Sequence, residues 1–222
     1  MFTVYHYPLC PFSRIVRLVL SEKQVPFELV IEPFWERRVE FLRMNPSGQT
    51  PVLIDDRKAF IIPGCWAILE YLDEIIPESI LGNAPEQRAY VRYITDWFCC
   101  KFHHEVGRHL FREKIVNVLS NRGPLSSESI RVAKRNLQYH LDYIAYLLGE
   151  SYYFAGDKPT LADYAAAAHI STLDYTGDMP WDYSARVKEW YSLLKSRPSF
   201  RQILQDEVKG IIAPRYYQNP DF

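Results

Sequence analysis

The feature that most constrains the fold is a change of periodicity part-way along the chain. Before it, short apolar runs typical of strands alternate with helical patterns, in the order β-α-β and then β-β-α. Phe2 to Tyr7 is the first strand, and the apolar residues from Ile15 to Leu20 give a helix face that ends before Pro26. The segments PFELVIE, NPSGQTPVLI and AFII supply the other strands, and CWAILEYLDEI a further helix. This alternation predicts a mixed sheet with helices packed on it.

The change falls between Pro77 and Pro85, a stretch whose proline, glycine and asparagine residues are typical of a linker. We predict an α/β domain over residues 1–77, a linker over 78–84, an all-helical domain over 85–209 and a tail over 210–222. A long helix should run from Pro85 to about Leu119. LADYAAAAHISTL is apolar almost all round, which predicts a helix at the centre of the second domain. Thr160 and Asp163 have the spacing of a capping box at its start and are assigned a structural role.

Composition argues against several kinds of partner. The 222 residues carry a formal net charge of -1 and no run of basic residues longer than a pair, so neither nucleic acid nor an anionic membrane is expected. No apolar run approaches the roughly 20 residues that cross a bilayer, and no signal-peptide pattern opens the sequence. The cysteines, Cys10, Cys65, Cys99 and Cys100, do not form a disulfide framework, which favours a reduced, cytoplasmic protein.

Two cysteine motifs invite a chemical interpretation. Cys10 stands where the first strand passes into a helix, and the helix N-terminus favours a thiolate there, which makes Cys10 a candidate catalytic residue. The alternative is a partly buried turn residue without chemistry. CCKFHHE places cysteine and histidine four residues apart twice, as in metal sites, but adjacent residues point about 100° apart on a helix. The two pairs cannot share one tetrahedral site, so we predict no metal.

Three motifs, in this order along the chain, resemble those of the cytosolic glutathione transferase superfamily: the turn from Cys10 to Ser13, QTPVL, and PTLADYAAAA. The resemblance implies an α/β N-terminal thioredoxin-like domain plus an all-α C-terminal domain, assembled as a homodimer. It implies a cis bond before Pro51 that turns the backbone of Val52 toward glutathione. It also implies a glutathione-type pocket formed by Cys10, Ser13, Thr50, Pro51, Val52, Gly64 and Cys65.

The sequence departs from that superfamily in the turn before the third helix. Members usually carry a Glu/Gln-Ser pair there, which holds the γ-glutamyl group, whereas this chain has Gly64 and Cys65. Glycine offers no side chain, and cysteine is a weak hydrogen-bond donor and a poor helix cap. Losing one charged hydrogen-bonding group costs about 1.5 to 3 kcal/mol, so we expect at least tenfold weaker glutathione binding, and no cofactor.

Five further segments resemble a narrower group, the FtsZ-localised protein A division factors of bacteria. They are PFWERRVEFLRMNPSG, TDWFCCK, AAAAHISTLDYTG, KEWYSLLKSRPSFR and PRYYQNPDF. This resemblance implies a cytoplasmic protein at the division site that binds FtsZ and modulates the bundling or curvature of its filaments without transferase activity. The implied partner contacts are Trp35 and Asp221. We add their neighbours Arg37, Tyr216, Tyr217 and Phe222, because tryptophan and arginine are frequent hot-spot residues and the tail is too apolar to be solvated.

Each of these interpretations has an alternative. Trp35 can instead be a lid over the core of its own domain, and the tail can dock on the body of the protein. The functional alternative is an enzyme that uses the Cys10 thiolate for glutathione-dependent thiol transfer or reduction. Gly64 and Cys65 argue against that enzyme, and the position of Cys10 argues for it.

Overall fold

The computed structural model describes residues 1–219 and places a four-stranded sheet at the N-terminal end of the chain. The strands are β1 (Phe2–His6), β2 (Phe27–Ile31), β3 (Val52–Asp55) and β4 (Phe60–Pro63), in the order β2-β1-β3-β4. β1 is parallel to β2 and antiparallel to β3, which is antiparallel to β4. The mixed sheet predicted from the alternating pattern is confirmed.

Three helices accompany the sheet: α1 (Pro11–Glu22), α2 (Val39–Met44) and α3 (Cys65–Ile75), with a 3-10 turn at Phe34–Glu36. α1 begins with a proline, whose fixed φ suits the first helical position and whose missing N–H is not needed there. Its apolar side chains, among them Ile15, Val16, Leu18 and Leu20, are fully buried. Burial of this face against the sheet and the second domain fixes the helix in place.

The rest of the chain is helical. α4 (Pro85–Asp96) continues through π-helical turns at Trp97–Gly107 into α5 (Arg108–Phe111), further π turns at Arg112–Val116, and α6 (Asn117–Leu119). The predicted helix from Pro85 to about Leu119 is therefore continuous, but apolar spacing did not reveal its change of hydrogen-bonding pattern. α7 (Ser127–Leu148), α8 (Leu161–Tyr175), α9 (Ala185–Lys195), a 3-10 turn at Pro198–Phe200 and α10 (Arg201–Leu204) follow. The expected all-α second domain is confirmed, and no helix in residues 1–219 is long and apolar enough to span a membrane.

α8 lies at the centre, and every one of its residues is buried. Its start is organised by Asp163, whose carboxylate accepts hydrogen bonds from the Thr160 N–H and hydroxyl, the Phe154 N–H and the Trp190 indole N–H, at 2.9 to 3.1 Å. Burial raises the pKa of the Asp163 carboxyl, and these donors oppose that rise because they favour the carboxylate. One side chain thus caps α8 and ties it to α9.

Replacing Thr160 with alanine should lower the free energy of unfolding by about 1 kcal/mol, because the hydroxyl donor to Asp163 is lost while the backbone donor remains. Urea denaturation would measure the change. Thr160→Ser keeps a hydroxyl at the same place and is the matched control. Equal unfolding midpoints for the alanine and serine variants would show that this hydroxyl contributes nothing.

The domains are joined by a buried ionic cluster that the sequence analysis did not find. Arg14 donates to the Pro8 carbonyl, to the Ser171 hydroxyl and, at 3.2 Å, to Asp206. Arg17 makes a bidentate contact of 2.9 Å with the same carboxylate. Both arginines are buried, so α1 is clamped to the segment that follows α10.

Candidate functional site

Cys10 caps the N-terminus of α1 without a side-chain capping bond, and it is buried. Its thiol donates to the Thr50 carbonyl oxygen at an S···O distance of 3.7 Å. The Thr50–Pro51 peptide bond is cis, and Val52 directly after it lies in β3 between Tyr5 and Pro63. The structure therefore brings the turn of α1 and the start of β3 together, as the predicted pocket requires.

Ser13 belongs to the same region but is not free to bind a ligand. It is fully buried, and its hydroxyl oxygen accepts the Tyr7 backbone N–H at 3.3 Å. Its contribution in this structure is to hold the end of β1 against α1.

Gly64 and Cys65 lie at the start of α3, where the γ-glutamyl end of the predicted pocket is expected. Gly64 precedes α3 with a φ of 91°, and a Cβ atom built on it would have no neighbour within 4 Å. The space that a ligand-holding side chain would occupy is open. Cys65 is buried, its thiol donates to the Phe12 carbonyl oxygen at 3.6 Å, and burial raises its pKa. Neither residue offers a free polar side chain to a bound peptide.

A cleft of about 610 Å³ opens beside Cys10, and we call it the interdomain cleft. Its apolar wall is formed by Pro11, Phe12, Phe34, Phe111 and Val116. Its polar lining consists of Cys10, Gln49, Thr50, His103, Arg108, His109, Arg112 and Arg122. Of the predicted pocket residues, only Cys10 and Thr50 line this cleft, and seven of its thirteen lining residues come from the chain after α4.

Both halves of the chain match known family models. The model described as glutathione S-transferase, N-terminal domain, matches residues 9–75, and that described as glutathione S-transferase, C-terminal domain, matches residues 109–207. The chain belongs to the glutathione S-transferase superfamily. FtsZ-localized protein A of Caulobacter vibrioides is 41% identical over 99% of this chain and 98% of its own length.

Solved structures of the superfamily agree with the fold over the whole chain. FzlA from C. crescentus has a TM-score of 0.96 at 41% identity and covers 100% of this chain and 99% of its own. A glutathione S-transferase from Rhodospirillum rubrum F11 has a TM-score of 0.95 at 43% identity and covers 100% of both chains. Similar proteins thus include one named for FtsZ localisation and one named as a transferase.

The position of Trp35 in this glutathione-transferase fold is compatible with both of its interpretations, a lid over the core of its own domain and a partner contact. It is half-buried in the 3-10 turn after β2, edge-on to Tyr7 at 4.7 Å and to Phe34 at 5.2 Å between ring centroids. Phe34 stacks on Phe111 of the second domain at 6.2 Å. Arg37, two residues on, is exposed and has a left-handed φ of 53°. Trp35 therefore packs on its own domain while part of it remains accessible beside an exposed arginine.

The tail places its predicted contact residues differently. Tyr217 is only 1% exposed, with its hydroxyl donating to the Ile203 carbonyl at 3.1 Å and its ring edge-on to Tyr175 at 5.0 Å. It cannot contact a partner directly, so that assignment is corrected, because the aromatic ring is instead an anchor of the tail on the body. Tyr216 is half-buried. Asp221 and Phe222 lie outside the described residues.

Metal ligands do not converge in residues 1–219, which contain no group of three or more histidine, cysteine or acidic side chains able to hold an ion. In the CCKFHHE segment, Cys99 is buried and burial raises its pKa, while the exposed Cys100 thiol donates to Asp96 at 3.2 Å. His103 instead packs edge-on against Phe12 at 4.7 Å between ring centroids.

An exposed aromatic patch lies on α4, the π turns after it, and α7. Its members are Tyr90, Tyr93, Trp97, Tyr139, Tyr143 and Tyr146. Tyr93 and Tyr146 are 54% and 79% exposed, and the Trp97 and Tyr143 rings are 4.1 Å apart. Helical spacing of aromatics was the available signal, but it does not show which side of a helix faces solvent. A patch of this kind is typical of an interaction surface.

Proposed function

We propose that this protein binds FtsZ at the division site and modulates the bundling or curvature of FtsZ filaments, as a cytoplasmic homodimer without glutathione transferase activity. The observation that carries the proposal is full-length similarity to FtsZ-localized protein A. The open space at Gly64 and the buried thiol of Cys65 support it, because neither side chain can replace the Glu/Gln-Ser pair that usually holds the γ-glutamyl group.

Trp35 and Arg37 are the proposed contacts on the first domain. The accessible part of the indole and the exposed guanidinium lie on one turn, and this pairing is frequent at the energetic centre of protein interfaces. Tyr216, Asp221 and Phe222 are the proposed contacts of the tail. Tyr217 supports them indirectly, since its burial anchors the tail on the body beside Tyr216.

The aromatic patch on α4 and α7 supports self-association. Two copies of the contact surface on one dimer would bridge neighbouring filaments, so weak single contacts would gain strength by avidity. Sedimentation velocity of the purified protein measures this part of the proposal. A monomer at micromolar concentration would contradict bivalent bridging and leave only one-to-one binding to FtsZ.

Trp35→Ala should abolish FtsZ bundling while the protein stays folded, because it removes a proposed anchor but no fully buried side chain. Asp221→Lys should have the same effect through charge reversal. Co-sedimentation and electron microscopy with FtsZ and GTP measure bundling, and thermal unfolding confirms the fold. Tyr152→Ala, at a tyrosine 63% exposed elsewhere on the second domain, is the matched control. Wild-type bundling by Trp35→Ala would remove this residue from the contact surface.

A second candidate function is glutathione-dependent thiol transfer by Cys10, which is favoured by the position of this residue in the lining of the interdomain cleft. If it operates, the protein should reduce a glutathione mixed disulfide, and Cys10→Ser should lose all turnover because serine is a poor nucleophile in this exchange. Cys100→Ser, at an exposed thiol, is the control. Equal turnover by wild type and Cys10→Ser would refute the enzymatic reading.

A further inference from the structure

β2 is an edge strand with free backbone groups on its outer side. The strand order β2-β1-β3-β4 leaves that side without a neighbouring strand in residues 1–219. The Glu32 N–H donates to the His6 carbonyl of β1 at 2.7 Å, and the backbone groups of successive residues alternate between the two sides of a strand. The N–H and C=O groups of Val30 therefore face β1, whereas those of Leu29 and Ile31 face outward.

The devices that usually protect such an edge are absent from β2. Its sequence, FELVI, contains no lysine or proline, and its register with β1 runs without a bulge. The side chains of Leu29 and Ile31 point to the same face and are 38% and 61% exposed. β4, the opposite edge, ends in Pro63, which lacks a backbone donor. β2 thus combines free backbone groups with exposed apolar side chains, as sites of strand addition do.

The length of this edge indicates what kind of partner it fits. Five residues extend about 17 Å, which is too short to bury the roughly 1,200 to 2,000 Å² of a stable protein interface. A second copy of the chain paired only through β2 would therefore not hold. A short extended segment fits better, because main-chain hydrogen bonds supply part of its affinity and neighbouring contacts can supply the rest.

The charges after β2 indicate the composition of that segment. Arg38 pairs with the buried carboxylate of Glu32. This hydrogen bond is the main cause of the raised pKa of Arg38, and Glu40 and Glu36 add to it. Arg37 is also exposed but makes no ion pair within residues 1–219. A carboxylate of the partner would complement its guanidinium.

We propose that β2 accepts an extended segment of the FtsZ subunit as a fifth strand of the sheet. The segment would place apolar side chains at alternate positions beside Leu29 and Ile31, and a carboxylate on Arg37. Trp35 and Arg37 lie four and six residues beyond Ile31, so the added strand and these proposed contacts would form one continuous surface. The inference rests on the proposed function and specifies how the first domain makes contact.

Amide hydrogen exchange of the full-length protein, with and without FtsZ polymerised in GTP, tests the added strand directly. The outward N–H groups of Leu29 and Ile31 should exchange at least about tenfold more slowly when FtsZ is bound. The Val30 N–H faces β1 in both states and is the internal reference, so its exchange should change less than about twofold.

Two substitutions test the same contact by affinity. Leu29→Pro removes an N–H that β1 does not use, and Ile31→Lys places a charge on the exposed face. Each should weaken co-sedimentation with FtsZ polymer about tenfold, while thermal unfolding stays close to that of wild type. Leu193→Lys, at a leucine 41% exposed on α9, is the matched control for Ile31→Lys and should bind like wild type. If Leu29→Pro does not fold, Ile31→Lys and the exchange measurement still decide.

Several results would overturn the proposal. Unchanged exchange at Leu29 and Ile31 with FtsZ bound, or wild-type affinity of folded Ile31→Lys, would refute strand addition and leave the division function standing. An equal loss of affinity in Leu193→Lys would show that the added charge acts without regard to position. Slowed exchange that depends on the concentration of the protein alone would assign β2 to a second copy. Absence of FtsZ binding by wild type would refute the proposed function together with this inference, so the two failures are distinguishable.

Discussion

Asp206→Ala should lower the free energy of unfolding by about 3 to 5 kcal/mol, the range for breaking a buried ion pair by removing one partner. The reason is the composition of the cluster, in which a single carboxylate is the counterion of both Arg14 and Arg17. The Arg14 side chain is fully buried and that of Arg17 is 2% exposed. Without Asp206, two guanidinium charges would remain in the interior with no counterion among their described contacts, a state that the folded protein tolerates poorly.

The cluster also predicts an order of effects. Arg17→Met leaves Arg14 and Asp206 as a pair without net charge, and methionine is a long side chain that fits the space of Arg17. It should therefore lower the free energy of unfolding less than Asp206→Ala does. Urea denaturation followed by circular dichroism measures both variants. Asp157→Ala is the control, because this exposed carboxylate should change stability by less than about 0.5 kcal/mol. A larger loss in Arg17→Met than in Asp206→Ala would contradict the proposed charge balance.

Loosening this cluster should also release the tail. Arg14 lies 5.9 Å from the centre of the Tyr175 ring, and Tyr175 packs against Tyr217. A variant that folds but frees α1 from Asp206 should therefore make the tail more accessible to limited proteolysis. Unchanged cleavage would show that Tyr217 is anchored without help from the arginines.

The parts of the fold predicted from sequence are those that depend on local pattern. Period-two apolar runs gave the strands, and T-x-x-D before an apolar segment located Thr160 and Asp163 at the start of α8. The missed features depend on residues distant in sequence. Arg17 and Asp206 are separated by 189 positions, and nothing local distinguishes these arginines from solvated ones. The burial of Tyr217 has the same cause, since its partners Ile203 and Tyr175 belong to other elements.

The same distinction between local and distant signals applies to the residues of the candidate site. Cys10, Thr50, Gly64 and Cys65 could be named because turns and helix starts have local signatures. The arginines of the interdomain cleft could not, because the side of a helix that Arg108 and Arg112 present depends on the π turns around them. A π turn changes the angle between successive residues, so helical spacing alone places these side chains incorrectly.

Acidification should destabilise the protein, because the folded chain buries two histidines whose imidazoles are neutral. Burial, with help from Arg17 and Arg14, lowers the pKa of His6 to about 3, and burial and Arg108 lower that of His103 to about 4, against 6.5 for free histidine. Below pH 6.5 these two histidines bind protons in the unfolded chain but stay neutral in the folded chain until the pH nears their lowered pKa values. What each neutral histidine contributes to the free energy of unfolding is therefore fully present above pH 6.5. It is lost as the pH falls toward the folded-state pKa, which is about 4 for His103 and about 3 for His6. Each contributes a slope of about 1.4 kcal/mol per pH unit.

A single substitution isolates this effect from the carboxylates that titrate in the same range. His103→Phe keeps an aromatic ring against Phe12, and the Nδ1 atom that it removes has no hydrogen-bond partner among the described residues. Between pH 6 and 5 the free energy of unfolding of wild type should fall more steeply than that of His103→Phe, by about 1.2 kcal/mol per pH unit. At pH 7.5 the imidazole is neutral in both states, so the comparison there measures packing alone. Parallel curves for the two proteins would mean that His103 accepts a proton in the folded state as easily as in the unfolded chain. This result would refute the lowered pKa that burial and Arg108 give to His103.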